Sequence, residues 1–121
     1  MTGGKIRIKR IYDPPANADG LRLLVDRIWP RGVSRDAARL DEWLKDIAPT
    51  AALRKWFGHD PKRWEEFQKR YRHELDGNAE AVDALCALVA RGNVTLLYGA
   101  RDEEHNQAVV LARYAHEHCG S

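Results

Sequence analysis

Two stretches of this sequence, residues 26–34 and residues 98–106, each place acidic, basic and aromatic side chains close enough together to do chemistry, and the second adds a histidine and an amide. Each follows or ends a short apolar segment, 21–25 in the first case and 94–98 in the second. In open α/β sheets, ligands bind outside the carboxyl ends of the strands, where loops lead into helices. The sequence therefore predicts that the two stretches form the two halves of one site.

The first stretch is suited to holding an anion. Arg27 and Arg31 come just before Ser34, a preferred helix N-cap, and the free N–H groups of a helix start favour negative charge. Guanidinium groups also match the geometry of phosphate and carboxylate. We expect Arg27 and Arg31 to bind the anion, with Ser34 beside them and Trp29 lining the pocket.

Asp26 and His105 are the candidate catalytic groups. Asp26, at the end of a predicted buried strand, could orient Arg27 or act as a general base; an ion pair that only fixes the loop is the alternative. His105 is predicted to lie in the first turn of the last helix and to face the same cleft, where it could be a general acid, a general base or a ligand. Tyr98 and Asn106 complete this half as candidate binding residues.

Other catalytic templates are missing from the sequence. There is no Gly-rich phosphate loop, no dinucleotide fingerprint and no nucleophile with an evident base. The acidic run 102–104 together with Asp26 leaves a divalent cation as a weaker alternative. A further cluster, His116, His118 and Cys119, is too incomplete to predict a metal site. We therefore assign no metal, and the cofactor stays unknown.

The elements that must position these residues alternate between strands and helices. Strands are predicted at 5–12, 21–25 and 94–98, and helices at 34–38, 50–58, 60–77, 79–90 and 103–116, the last of them capped by Asp102. Residues 41–48 fit both helical and strand spacing. This alternation predicts a single α/β domain with a small, mostly parallel sheet of about four strands flanked by helices. Residues 1–4 are expected to be flexible and residues 117–121 to fray.

The composition is that of an ordinary globular domain. The chain has 121 residues, of which 44% are hydrophobic and 31% charged, and no apolar run reaches the length of a membrane span or a signal-peptide core. We expect a cytoplasmic protein without a membrane partner. Two cysteines do not suggest a disulfide framework, so Cys86 and Cys119 are expected to be reduced, with Cys86 acting as a small buried hydrophobe.

The charge is divided unevenly along the chain. Residues 1–73 carry 17 Lys and Arg against 10 Asp and Glu, whereas residues 74–121 carry 3 against 8. The basic half could attract an anionic ligand or a nucleic acid, or the two halves could simply attract each other. A nucleic-acid-binding module would use Lys5, Arg7, Lys9 and the basic helix 62–72. The helix charges are spaced to pair with one another, which counts against that function.

Five segments resemble the YeaO-like bacterial proteins, a branch of a large domain family of unknown function: residues 10–15, 24–34, 43–49, 53–61 and 94–106. The resemblance covers nearly the whole chain. It implies a small α/β domain and a strand at the segment matching 41–48, but no activity. Wider relatives often have a cysteine near Tyr98 and a Cys-His-Arg run near His105, and since this chain lacks both, no thiol chemistry is carried over.

The sequence thus favours a protein that binds an anionic, phosphate-containing small molecule at the carboxyl ends of its strands. Hydrolysis or transfer of that molecule is left open, and so is whether the protein is an enzyme. A nucleic-acid-binding module and a non-catalytic interaction protein are the alternatives. Oligomeric state and substrate do not follow from the residues.

Overall fold

The fold is built around a four-stranded sheet whose strands all run in the same direction. The computed structural model describes residues 4–119. Its strands are β1 (Ile6–Arg10), β2 (Leu21–Leu24), β3 (Glu42–Trp43) and β4 (Val94–Tyr98), in the order β1-β4-β2-β3. Every neighbouring pair is parallel, so the carboxyl ends of the strands lie at one edge. The predicted α/β class is confirmed.

The two central strands are apolar on both faces because both faces are covered. All five residues of β4 are buried. Leu23 lies opposite Leu96, and both belong to the larger hydrophobic core; Leu24 lies opposite Leu97, and both belong to a smaller core with Ile11 and Ala38. Neighbouring residues of a strand point to opposite faces, so the two cores cover the two faces of the sheet.

The helices are α1 (Arg35–Ala38), α2 (Ala51–Phe57), α3 (Trp64–Asp76), α4 (Ala79–Val89) and α5 (Gln107–His118). Side chains of α2 to α5 form most of the larger core. The predicted caps of the first two helices are confirmed: Ser34 accepts a hydrogen bond from the Ala37 N–H at 3.0 Å, and Thr50 accepts one from the Leu53 N–H at 3.2 Å. No helix within residues 4–119 is long and apolar enough to cross a membrane.

Residues 41–48, which fitted either periodicity, contain both kinds of structure. Two residues pair with β2 as strand β3, and a 3₁₀ turn at Lys45–Ile47 follows. Side-chain hydrogen bonds hold the segment: the Trp43 indole N–H donates to the Asp26 carbonyl at 2.7 Å, and the Tyr71 hydroxyl donates to the Ile47 carbonyl at 2.8 Å. The strand implied by the resemblance is therefore confirmed for Glu42–Trp43 alone.

The predicted start of the last helix is wrong by four residues. Helix α5 begins at Gln107, and Asn106 is its N-cap, accepting a hydrogen bond from the Val109 N–H at 3.1 Å. Asp102 caps only a local turn, because its Oδ1 atom accepts from the N–H groups of Glu104 and His105 at 2.9 and 3.0 Å. Asp and Asn both form such local hydrogen bonds, so the sequence offered two caps and tertiary packing selected the second.

The expectation of two reduced cysteines is also wrong: Cys86 and Cys119 form a disulfide. Helix α4 packs beside α5, which brings the two Cα atoms to 4.9 Å, inside the range that a disulfide can bridge. The predicted fraying of residues 117–121 is not seen at 117–118, since α5 runs to His118. Residues 1–3 and 120–121 lie outside the described part of the chain.

Candidate functional site

A cavity of about 600 Å³ opens at the carboxyl edge of the sheet. Three segments contribute most of its lining: the loop after β2 at residues 26–31, the end of α2 and its following turn within 54–59, and the segment between β4 and α5 within 99–107. The two stretches expected to form one site therefore do meet. The third segment, from α2, was not foreseen.

Asp26 is the acidic residue of this cavity. Its Oδ2 atom accepts a hydrogen bond from the Gly99 N–H at 2.9 Å, and its Oδ1 atom accepts one from the Gln107 side-chain amide. Burial raises the pKa of Asp26 to about 6, against the opposing effects of these two hydrogen bonds and of the positive charge of Arg54. The carboxylate thus joins the loop after β2 to the segment after β4.

This junction requires a residue without a side chain at position 99. A Cβ atom on Gly99 would lie 2.9 Å from Asp26 Oδ2 and 3.4 Å from the Pro30 Cβ. The first distance is shorter than non-bonded contacts normally allow. Gly99 therefore lets the backbone approach the carboxylate closely enough to donate its N–H.

Four cationic side chains line the cavity: Arg27, Arg31, Arg54 and Lys55. Arg27 donates to the carbonyl oxygens of Pro49 and Ala48 at 3.1 and 3.0 Å, so it also fixes the segment that leads into α2. The other three are exposed, and none of them takes part in the ion pairs found between residues 4 and 119. The cavity therefore carries an excess of positive charge over Asp26.

The remaining walls are apolar and aromatic. Phe57 and Phe67 stack with their ring centroids 4.3 Å apart, and both line the cavity. Trp29 and Pro30 come from the loop after β2. Ile28, which is 61% exposed, also contributes to the lining.

The sequence of this chain matches a recognised family. The model of the family described as "Inactive DUF488-N3 subclade" matches residues 5–120. The chain belongs to this family. Uncharacterized proteins of Mycobacterium tuberculosis and Mycobacterium bovis are each 41% identical over 109 residues, covering 90% of this chain and 92% of theirs. The uncharacterized protein YeaO of Escherichia coli is 40% identical over 107 residues, covering 88% of this chain and 93% of its own. The resemblance to YeaO-like proteins is thereby confirmed. No solved structure matches the chain.

Of the predicted site residues, Asp26, Arg27, Trp29, Arg31 and Asn106 line the cavity of this family member. Asn106 is buried and serves mainly as the cap of α5, since its amide also donates to the Asp102 carbonyl at 2.9 Å. The predicted residues that meet in the cavity therefore lie on the loop after β2 and at the start of α5.

Three predicted residues lie elsewhere. His105 does not face the cleft: its Nδ1 atom lies 2.9 Å from Asp102 Oδ2, and its ring packs edge-on against Trp64. Tyr98 is only 2% exposed and belongs to the core, and burial raises its pKa. Ser34 caps α1. The lining of the cavity therefore includes neither His105, which stays in the loop before the late start of α5, nor Tyr98, whose ring is buried in the larger core.

Arg54, Lys55, His59 and Gln107 line the cavity of this family member but were missed. The segment 53–61 was already singled out by its resemblance, and Arg54 and Lys55 lie on α2 away from its buried residues Leu53 and Phe57. These two features were the sequence signals from which Arg54 and Lys55 could have been predicted as site residues. Only the packing of α2 against α3 aims this cationic side of the helix at the sheet edge.

The side chains that commonly bind metal ions are dispersed in the described part of the chain. Among residues 4–119, no group of three or more His, Cys, Asp or Glu side chains lies close enough together to hold a metal ion. Asp26 and the run 102–104 do not come together in such a group, and Asp102 Oδ2 lies 2.9 Å from His105 Nδ1. Cys119 is in the disulfide and cannot act as a thiolate ligand.

The basic residues considered for nucleic-acid binding are largely engaged inside the protein. Lys9 pairs with Asp19 at 2.9 Å, and Arg7 donates to the Ala18 carbonyl at 3.3 Å. On α3, Arg70 pairs with Glu66 at 3.0 Å, as its spacing predicted, and Arg72 pairs with Glu117. Four of these basic side chains are thus engaged with other residues of the protein.

Proposed function

We propose that this protein binds a phosphate-containing small molecule in the cavity at the carboxyl edge of its sheet and does not turn it over. One observation carries the proposal: Arg31, Arg54 and Lys55 converge on one cavity and are absent from the ion pairs between residues 4 and 119. Cations that line one concavity raise the positive potential inside it. Three unpaired cations around one concavity favour an anion from outside.

Phosphate fits this arrangement better than a single carboxylate does. Guanidinium groups bind phosphate oxygens through two parallel N–H donors, and Lys supplies a point charge. A multivalent phosphate group can contact several of the three cations at once. The apolar walls would bind the rest of the molecule, since small-molecule sites combine a mostly apolar lining with a few placed polar groups.

Binding without catalysis is the simpler function for this cavity. Within the cavity, Asp26 is the acid–base group with a displaced pKa, and both its oxygens are already held by N–H donors. His105, the other candidate, is hydrogen-bonded to Asp102 outside the cavity. The word "inactive" in the family description agrees with a binding role.

The test is titration calorimetry with pyrophosphate, a compact multivalent phosphate. Arg54→Gln and Lys55→Gln should each weaken pyrophosphate binding about tenfold or more, because a hydrogen bond to a charged group contributes about 1.5–3 kcal/mol. Lys62→Gln is the matched control: it also removes one exposed positive charge, but Lys62 is not part of the cavity. The Lys62→Gln variant should bind pyrophosphate as tightly as the parent protein does.

Arg31→Ala extends the same test to the loop after β2. It should leave the fold intact and abolish the thermal stabilisation that pyrophosphate or a nucleotide gives the parent protein. If the parent protein bound none of a panel of phosphate compounds, or if Lys62→Gln weakened binding as much as Arg54→Gln did, the proposal would fail.

A further inference from the structure

The cavity separates its charges along its depth. Arg31, Arg54 and Lys55 are exposed, whereas Asp26 is mostly shielded from solvent and joins two segments of the sheet edge. The aromatic side chains of Trp29, Phe57 and Phe67 line the same cavity. A complementary ligand has an anionic end, a flat apolar body, and hydrogen-bond donors at the end that reaches Asp26.

The carboxylate of Asp26 retains acceptor capacity after its internal hydrogen bonds are made. An ionised carboxylate has about four lone-pair positions, two on each oxygen. The Gly99 N–H occupies one position on Oδ2, and the Gln107 amide occupies one on Oδ1. One further position therefore remains on each oxygen, and two adjacent acceptors match two adjacent N–H donors.

Among the nucleobases, guanine offers such a pair of donors. Its ring N1–H and its exocyclic amino group lie side by side, and buried bases are recognised by hydrogen bonds to this edge and by stacking on aromatic side chains. Adenine and cytosine place a ring acceptor beside their amino group, so a carboxylate would be repelled at one of its two positions. Hypoxanthine has the ring N–H but no amino group.

We propose that the ligand is a guanine nucleotide, with its phosphate at Arg31, Arg54 and Lys55 and its base hydrogen-bonded to Asp26. This inference rests on the proposed phosphate-binding function and adds the identity of the base. The volume of about 600 Å³ lies within the range of small-molecule sites and suits a mononucleotide. Asp26 is then the specificity-determining residue, whereas the cations bind any nucleotide.

The decisive experiment compares GMP, IMP, AMP and XMP by titration calorimetry at a single pH and salt concentration. GMP should bind the parent protein about tenfold or more tightly than AMP, with IMP between them, because a site built to accept an N–H group discriminates against a ligand that lacks it. Arg54→Gln should weaken the binding of GMP and of AMP by the same factor, because Arg54 contacts the phosphate that both nucleotides share.

Asp26→Asn should reverse the preference between GMP and XMP. An asparagine side chain presents one donor and one acceptor, which match the C2 carbonyl and N1–H of xanthine but not the two donors of guanine. XMP should therefore bind Asp26→Asn more tightly than GMP does, the opposite of the parent protein. If the role of Asp26 were purely structural, the variant would bind GMP and XMP more weakly by the same factor.

The outcomes separate this inference from the proposed function. Equal affinity of the parent protein for GMP and AMP, with pyrophosphate competing, would overturn recognition of guanine and leave phosphate binding standing. If Asp26→Asn weakened the binding of GMP and XMP alike, without reversing the preference between them, recognition of guanine would also be overturned. Failure of pyrophosphate and of every nucleotide to bind the parent protein would overturn both.

Discussion

At the scale of single residues, the protonation of Asp26 links the cavity to stability. Burial raises the pKa of Asp26 from 3.8 to about 6, so folding disfavours the ionised carboxylate. The folded protein holds the proton more tightly than the unfolded chain between these two values. The free energy of unfolding therefore decreases as pH rises from about 4 to about 6, and above that range the cost is fully present.

Asp26→Asn should relieve this cost. Its side-chain oxygen can still accept from the Gly99 N–H, and its amide can donate to Gln107 after that amide rotates. We expect the variant to be about 2 kcal/mol more stable than the parent protein at pH 8 and nearly unchanged at pH 4, as judged by urea unfolding. Asp83→Asn, which changes an exposed acid on α4, is the control and should show neither effect. An equal gain at both pH values would contradict the ionisation argument.

Gly99 can be tested in the same way. Gly99→Ala places a Cβ 2.9 Å from Asp26 Oδ2, so either the carboxylate or the loop must move. We expect a loss of about 1–3 kcal/mol in thermal or urea unfolding. Gly77→Ala is the matched control, since its Cβ would meet nothing closer than 3.7 Å and should change stability little. Equal stability of the two variants would show that the close approach is not required.

At the scale of elements, α2 is fixed by a double contact at its N-terminus. Thr50 caps the helix, and its hydroxyl donates to Glu74 Oε2 on α3 at 2.7 Å, while the Thr50 N–H donates to Glu74 Oε1 at 3.0 Å. These bonds set the position of the helix that carries Arg54 and Lys55. The positions of Arg54 and Lys55 therefore depend on contacts made about one helical turn away.

Thr50→Ala should cost about 1 kcal/mol of stability through loss of the cap, and pyrophosphate binding should weaken as α2 loses its contact with α3. Thr50→Ser keeps the hydroxyl and should restore most of both properties. Stability is measured by urea unfolding and binding by calorimetry. If Thr50→Ser behaved like Thr50→Ala, the hydroxyl would not be the responsible group.

The start of α5 has a similar consequence at this scale. Because the helix begins at Gln107, the side chain of its first residue reaches Asp26, and His105 is left in the preceding loop. A helix beginning at residue 103 would have placed His105 in its first turn. The start of the helix, one turn later than predicted, thus places the amide of Gln107 in the cavity lining instead of the imidazole of His105.

At the scale of the whole molecule, the disulfide connects the end of α5 to α4 across 33 residues. A crosslink of this length lowers the entropy of the unfolded chain by an amount corresponding to about 3–4 kcal/mol in the chain-entropy model. Addition of a reductant should lower the urea midpoint of the parent protein accordingly. The double variant Cys86→Ser with Cys119→Ser should start at the lower midpoint and should not respond to reductant. Two free thiols in the untreated protein, detected by mass spectrometry after alkylation, would contradict the crosslink.

The sequence by itself determined the strands and most helices, because local signals specify them. β4 is a β-branched and apolar run, Thr50 and Gly58 bound α2, and Asp60 with Pro61 precedes the aromatic spacing of α3. The alternation of strands and helices predicted the parallel sheet, and the carboxyl edge of that sheet was the predicted place of a site. Asp26, Arg27, Trp29 and Arg31 could be placed there because they directly follow a strand.

Only the tertiary structure decided which distant side chains complete the cavity. Arg54 and Lys55 belong to a helix whose own pattern specifies its buried face but not the element that its other face meets. Asp102 and Asn106 are equally good local caps, and packing of α5 on the sheet selected Asn106. Cys86 and Cys119 are brought together only by two adjacent helices. In each case the deciding contacts join residues far apart in the chain, and local periodicity contains no information about such pairs.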